Sequence, residues 1–378
     1  MTESNAFRFE LFETDPSCAA RRGRFHTPHG SLETPAFMPV GTRATVKGLT
    51  PDQLRSIGVE MVLANTYHLH LRPGEEVVRE LGGLHRFMGW EGPILTDSGG
   101  YQVFSLRHLT KVDERGATLT SVVDGDPVHL TPESVMQIER DLGADVIMAL
   151  DHCPSDPTDR AEVERATDRT HRWLRRCVEA FESTPPPHGP QALFPIVQGG
   201  AFKDLRERAV AETLELYDAR GFAIGGVSVG EDREAMRLAV RSAAPLLPAD
   251  RPRYLMGVGT PEDFLVAISE GVDLFDCVTP TRHGRNHQAY VPEGRINLRN
   301  QRWARDDRPI DEHCDCPTCA RFSRGYLRHL CTTGEMLAGV LLSMHNVRVF
   351  ERLMERVRVA ISEGRFAQLV EELRAPAG

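Results

Sequence analysis

Lysine is almost missing from this 378-residue chain: only Lys47, Lys111 and Lys203 occur. Basic character therefore rests on arginine, a bias that genome base composition accounts for and that also suits bidentate phosphate contacts where arginines cluster. No apolar run approaches membrane-spanning length, and Met1-Thr2-Glu3-Ser4-Asn5 does not read as the start of a signal peptide, so a cytoplasmic location is expected. There is no Walker loop, and no dinucleotide fingerprint follows a strand-like run, which argues against a nucleotide cofactor. Internal repeats and low-complexity tracts are lacking as well. A net charge of −9 argues against general coating of nucleic acid but leaves room for a local basic patch.

With 40% hydrophobic and 26% charged residues, the composition is that of a soluble globular protein. The length suits one large α/β barrel or two ordinary domains. After a hairpin at Arg24–Thr27 and Ser31–Thr34, short apolar runs alternate with helical stretches. The runs are Ala36–Val40, Met61–Ala64, Pro93–Thr96, Val146–Leu150, Leu193–Val197, Gly221–Ile224, Arg253–Met256 and Val272–Phe275. Runs of this kind are what strands covered on both faces look like. Thr50-Pro51-Asp52, Thr131-Pro132-Glu133 and Thr260-Pro261-Glu262 each supply a capping hydroxyl, a proline that needs no N–H partner, and an acid at the positive dipole end. Eight alternations predict a closed (β/α)8 TIM barrel over residues 1–378, with a doubly wound open sheet as the alternative. Pro93 and Pro195 weaken two of the predicted strands. A second hairpin is predicted at Thr118–Val123 and Pro127–Leu130, and the proline-rich segment 183–190 reads as a surface loop within the barrel. Between Arg282 and Arg328 the alternation breaks, marking an insertion before the final helices.

Three carboxylates end predicted strands: Asp97, Asp151 and Asp276. In a parallel barrel all strand C-termini point to one face, so the three would converge there. A single such Asp is ordinarily a helix cap; three together favour a site. Gln198-Gly199-Gly200 and Gly225-Gly226 follow the fifth and sixth strands, where glycine lets backbone N–H groups approach a ligand. Guanine fits such a face: its N1–H and 2-amino donors suit a carboxylate such as Asp151, and its O6 suits an amide N–H from Gln198 or Gly226. Tyr101 and Met256 are placed to sandwich the ring. A carboxylate beside the sugar carbon can attack it, and a second of raised pKa can move protons on the base, as in retaining glycoside hydrolysis.

Three thiols crowd at Cys314, Cys316 and Cys319, and His345 follows on a predicted helix. In a chain without a secretion signal this set predicts a tetrahedral structural zinc site, with His313 and Cys331 as competitors for the fourth position. The segment 282–350 is accordingly expected to be a zinc-binding insertion with its helix packed on the barrel. From Arg282 to Arg328 ten arginines face six acids, so the remainder of the chain carries about −13. That asymmetry fits a phosphate-binding face, and a solvated, salt-bridged surface equally.

At these residues the chain strongly resembles the tRNA-guanine transglycosylases (queuine tRNA-ribosyltransferases), over nearly its whole length. The resemblance is carried by Asn65-Thr66-Tyr67-His68-Leu69, Asp97-Ser98-Gly99-Gly100-Tyr101-Gln102, Val197-Gln198-Gly199-Gly200, Tyr254-Leu255-Met256-Gly257-Val258-Gly259, Asp276-Cys277 with its arginine-bearing loop, and the cysteine cluster. It implies a zinc-bearing (β/α)8 barrel, a homodimer, and no organic cofactor. The implied reaction exchanges the wobble guanine of tRNAs with a GUN anticodon (those for aspartate, asparagine, histidine and tyrosine) for a 7-deazaguanine, acting on a base rotated out of its stack. By motif match Asp276 is the nucleophile on the ribose and Asp97 the general acid/base. Asp97, Ser98, Gly99, Gly100, Tyr101, Asp151, Gln198, Gly226 and Met256 would hold the base. Gly257, Val258, Gly259 and Thr260, with Thr281, Arg282, His283, Gly284 and Arg285, would contact RNA. Cys153 and Val229 look like the bacterial branch, which inserts 7-aminomethyl-7-deazaguanine (preQ1). One departure is Asp151-His152-Cys153 where bacterial members usually have Asp-Glu-Cys, which bears on the hydrogen bonding and pH response of the base pocket.

Two readings from other classes remain. A barrel glycosidase on small sugars would use the same acids without needing an arginine face tethered by zinc. A non-catalytic tRNA-binding subunit would lack the Asp276 motif, which is present.

Overall fold

Alternation of β-rich runs with capped helices builds the expected barrel. The computed structural model describes residues 6–106, 110–227 and 233–374. The barrel strands are Ala36–Gly41, Val62–Asn65, Ile94–Asp97, Val146–Met148, Ala192–Phe194 with Ile196–Val197, Phe222–Ile224, Arg253–Leu255 and Leu274–Cys277. Every neighbouring pair is parallel, and Leu274–Cys277 pairs with Ala36–Gly41 to bring the last strand beside the first. The fifth strand is split at Pro195: its first half pairs with the fourth strand and its second with the sixth, which completes the circle. The proline supplies no N–H, but its carbonyl accepts from Ala223 N at 2.9 Å, so the ladder passes through it. Pro93 lies just before its strand and likewise serves as an acceptor, for Val62 N. The two prolines thus shorten strands without breaking the barrel.

Side chains alternate along these strands. Met38, Leu95, Met148, Phe194, Ala223, Tyr254 and Leu274 fill the interior, whereas Phe37, Phe222, Leu255 and Phe275 face the helices. All three predicted Thr-Pro starts are helix N-termini with reciprocal capping boxes, at Thr50, Thr131 and Thr260. The first hairpin gains a strand, Phe9–Thr14, that its sequence did not announce, and Phe9, Phe25 and Leu32 close the foot of the barrel. The second hairpin likewise forms with Thr110–Val112 as an added third strand. Residues 184–191 connect a 24-residue helix, Arg160–Ser183, to the fifth strand, as a surface loop should.

Beyond Cys277 the chain departs from the barrel repeat. The segment expected as a loop over Thr281–Arg285 is a short helix, Thr279–Arg285, started by Pro280 in its first turn. It lies on the 27-residue helix Met336–Ser362, so closely that a Cβ on Gly284 would stand 2.5 Å from Ser343 N. That helix is a spine. Asn346 accepts from Tyr290 N at 2.9 Å and donates to the carbonyls of Pro280 and Gln288 at 3.0 and 2.9 Å, tying the hairpin Gln288–Val291/Gly294–Asn297 to the end of the eighth strand. Among the described residues no helix is long and apolar enough to cross a membrane.

Candidate active site

Asp276 sits on the last barrel strand, 9% exposed. Its Oδ1 accepts from the Tyr254 hydroxyl at 2.6 Å and from Gly257 N at 2.7 Å. Among the described residues nothing donates to Oδ2. Burial pushes this carboxyl up, and the two bonds to Oδ1 oppose the rise. The result is a carboxylate gripped on one oxygen with the other open to an electrophile.

Asp97 closes the third strand. Oδ2 accepts from Asn65 Nδ2 at 2.5 Å, and Oδ1 accepts from Thr66 N and Gly99 N, both at 3.2 Å. Burial, with a contribution from the Asp276 charge, pushes Asp97 up to about 7, against the pull of those donors. Two carboxylates near one another thus differ in environment, which is what an acid and a nucleophile require. Glu139 lies beneath, fully buried, with Oε1 accepting from Thr96 Oγ1 and Met148 N at 3.1 and 3.2 Å; burial raises it well above the usual carboxylate range.

Asp151, buried after the fourth strand, accepts from Gln198 Nε2 at 2.6 Å and from Cys153 Sγ at 3.6 Å. Burial raises its pKa while the Gln198 bond holds it down. Gln198 is 1% exposed and its Oε1 has no hydrogen-bond partner, so the amide is only half satisfied without a ligand. At Gly226 (φ 62°) a Cβ would meet that Oε1 at 2.2 Å, which restricts the position to glycine. The buried Arg206 guanidinium donates to the carbonyls of Gly200, Val197 and Gly225 at 2.7–2.8 Å, stapling the ends of the fifth and sixth strands together. Ser98 is buried and accepts from Gly100 N, while Tyr101 is 55% exposed on the helix Gly100–Ser105 and Met256 is half-buried at the rim. Val229 and the rest of the 228–232 segment lie outside the described residues.

His152 turns away from this group. Its Nδ1 lies 3.3 Å from Arg169 Nη1 and its ring 6.0 Å from Trp173; burial first and the Arg169 charge second push it down to about 4. It is neutral near pH 7 and makes no hydrogen bond to Asp151 among the described residues.

The residues expected at RNA divide by exposure. Arg282 and Arg285 point outward, while Thr281 and Gly284 are buried against the spine helix and His283 Nδ1 contacts the Tyr290 hydroxyl at 3.0 Å. Gly257 turns its N–H to Asp276, Val258 is buried, the Gly259 carbonyl faces Cys277 Sγ at 3.4 Å, and Thr260 caps the following helix. Burial first, then the charges of Arg285, Arg43 and Arg282, push the Lys47 pKa down, so the three arginines lie within electrostatic range of it. Arg43 and Lys47 come from the loop after the first strand and carry no motif by which sequence reasoning finds them. Asn65 and Tyr254 stand in motifs that carry the resemblance but were assigned no role, and Glu139 and Arg206 stand in none; each acts through hydrogen bonds that only the fold makes.

Cys314, Cys316, Cys319 and His345 bring four donor atoms within 4.8 Å of one another, all buried. His345 Nε2 is 2.7 Å from the Tyr290 carbonyl, which assigns the proton to Nε2 and leaves Nδ1 for a ligand, 3.3 and 3.6 Å from Cys319 and Cys316 Sγ. The donor set fits a metal ion with no position left open. Neither competitor joins it: His313 is exposed and Cys331 lies outside the cluster.

The family model described as queuine tRNA-ribosyltransferase matches residues 15–376. A queuine tRNA-ribosyltransferase of Synechococcus elongatus is 54% identical over 366 residues, covering 96% of this chain and 93% of the relative. That of Thermus thermophilus is 55% identical over 353 residues (93% and 90%), and that of Nostoc sp. 53% over 365 residues (97% and 96%). On a barrel whose mouth holds Asp276, Asp97 and Asp151, similarity of this extent leaves one assignment: the chain belongs to the queuine tRNA-ribosyltransferase family of pentosyltransferases.

Proposed function

We propose that this enzyme exchanges the wobble guanine of GUN-anticodon tRNAs for preQ1 by double displacement. The observation that carries the reading is the asymmetry between the two carboxylates: Asp276 offers one unbonded oxygen, and Asp97 holds a proton near neutral pH. Asp276 Oδ2 attacks ribose C1′, the C1′–N9 bond breaks, and the departing guanine takes the proton of Asp97. The covalent Asp276–ribose ester is then attacked at C1′ by N9 of the incoming 7-deazaguanine, whose N9 proton passes to the Asp97 carboxylate. The bond to Asp276 breaks and both acids return to their starting states.

Asp151 accepts from N1–H and the 2-amino group of the base. Gln198 also donates to Asp151, and its second amide N–H, with Gly226 N, serves O6. Ser98, Gly99 and Gly100 shape the floor, and Tyr101 and Met256 flank the ring. Arg282 and Arg285, with Arg43 and Lys47, neutralise anticodon phosphates; Thr281 and Gly284 serve by seating their helix on the spine. The cysteine–histidine cluster holds one Zn2+, which would supply no chemistry to the reaction, since thiolates and imidazole fill its shell. We read residues 1–378 as one barrel domain with 282–350 packed on it, working in the cytoplasm. We also read the enzyme as a homodimer, the state the family resemblance implies.

Incorporation of labelled guanine, then of preQ1, into unmodified tRNA tests the proposal. Wild type exchanges both and Asp276→Asn neither; exchange by Asp276→Asn at the wild-type rate would overturn it. A sugar-only glycosidase would instead cleave small glycosides and ignore tRNA.

A further inference from the structure

Asp145 precedes the fourth strand at the foot of the barrel, at the end opposite the three site acids. Its carboxylate is completely buried, and among the described residues no arginine or lysine pairs with it. Instead Oδ1 faces His29 Nδ1 at 2.8 Å, and Oδ2 faces His85 Nε2 at 3.0 Å while accepting from Ile94 N at 2.9 Å. The two imidazoles come from distant places, the turn of the N-terminal hairpin and the short helix Gly83–Met88. They stack with centroids 3.5 Å apart and 18° between planes, so both nitrogens look the same way, at one carboxylate. The three donor atoms lie within 4.8 Å of one another.

We propose that His29, His85 and Asp145 form a second metal site, taking a late first-row divalent cation such as Zn2+, Ni2+ or Co2+ and clipping the hairpin to the barrel foot. Two imidazoles with one carboxylate are a borderline donor set that favours these ions over Mg2+ or Ca2+. A buried carboxylate needs a compensating positive charge. A dication held by two neutral imidazoles supplies that charge. The His29 side chain is 36% exposed and His85 13%, which leaves an entry path and room for water as the remaining ligand. The cysteine-rich cluster is a separate site, in a different part of the fold.

Full-length protein equilibrated with micromolar free Zn2+ and stripped of loose ion by gel filtration is to be analysed for bound metal, wild type against His29→Ala. Wild type should retain one ion per chain more than the variant, and Ni2+ should raise the Tm of wild type alone. His29→Ala should exchange guanine normally and, loaded with Co2+, keep the thiolate-to-metal absorption of the cysteine cluster. Equal metal content in the two proteins, or an equal Ni2+-induced Tm shift, would overturn the proposal.

Discussion

The Tyr254 hydroxyl donates to Asp276 Oδ1 at 2.6 Å, from a strand whose neighbour in the barrel carries the acid. Tyr254 is fully buried and its own ionisation is pushed well above the usual phenol range, by burial first and the Asp276 charge second, so it remains a donor at every working pH. The bond orients the Asp276 carboxylate and lowers its basicity at once.

Tyr254→Phe should therefore leave Asp276 with one donor in place of two. A charge-assisted bond to a buried carboxylate is worth about 1.5–3 kcal/mol, so kcat should fall on the order of tenfold to a hundredfold. Because the lost bond held the Asp276 pKa down, the acidic limb of the kcat/KM profile should move to higher pH. A tenfold loss with an unmoved acidic limb would assign Tyr254 to packing alone.

Asp97 should set the alkaline limb. In the proposed exchange Asp97 gives a proton to the departing base, so kcat/KM should decline as pH rises through about 7. Asn65→Ala removes a donor that favours the charged form, and the limb should shift upward, by up to about one unit. A pH–rate series on the two proteins checks this.

The same carboxyl carries a stability signature. Folding raises the Asp97 pKa from 3.8 to about 7, so its contribution to the fold is fully present below the unfolded value and is lost as pH rises through 7. Asp97→Asn, which cannot ionise, should gain stability over wild type between pH 5 and pH 8, by about 2–4 kcal/mol at the upper end. Denaturant midpoints at the two pH values measure it, in a variant expected to be inactive.

Gly284→Ala should disturb the site from a distance. The new Cβ would stand 2.5 Å from Ser343 N and 2.7 Å from its Oγ, forcing the helix Thr279–Arg285 off the spine. Overpacking of this kind costs about 1–3 kcal/mol. Since Arg282 and Arg285 ride on that helix, KM for tRNA should rise while binding of the free base is preserved, which equilibrium binding of preQ1 separates.

In the proposed zinc-bound form, stripping Cys314, Cys316, Cys319 and His345 of metal should loosen the C-terminal third first. Structural zinc in small domains is worth on the order of 10 kcal/mol, so chelation or His345→Ala should lower Tm clearly and open residues 300–345 to protease. Chelator-treated protein, analysed to be metal-free at Cys314, Cys316 and Cys319 yet melting unchanged, would contradict a structural role.

What the sequence alone determined was everything local. Apolar runs of four or five residues announced eight strands, Thr-Pro-acid triplets announced three helix starts, and Cys314-Asp315-Cys316-Pro317-Thr318-Cys319 announced three of the four gathered donor residues, because each signal is complete within a few residues. Strand ends face one way in a parallel barrel, so Asp97, Asp151 and Asp276 could be grouped before any coordinates. Only the tertiary structure decided what surrounds them. Arg206 bonds to carbonyls at the ends of two strands, Asn65 reaches across to Asp97, and the charges of Arg282 and Arg285 act on Lys47 from more than 200 residues away in the chain. The turn of Thr281–Arg285 into a helix, with Gly284 against Ser343, likewise needed the long helix to be in place. Such contacts depend on barrel closure and leave no periodicity in the chain. That Asp276 ends a strand was legible in the chain; the burial that raises both its carboxyl and that of Asp97 is a property of the closed barrel mouth.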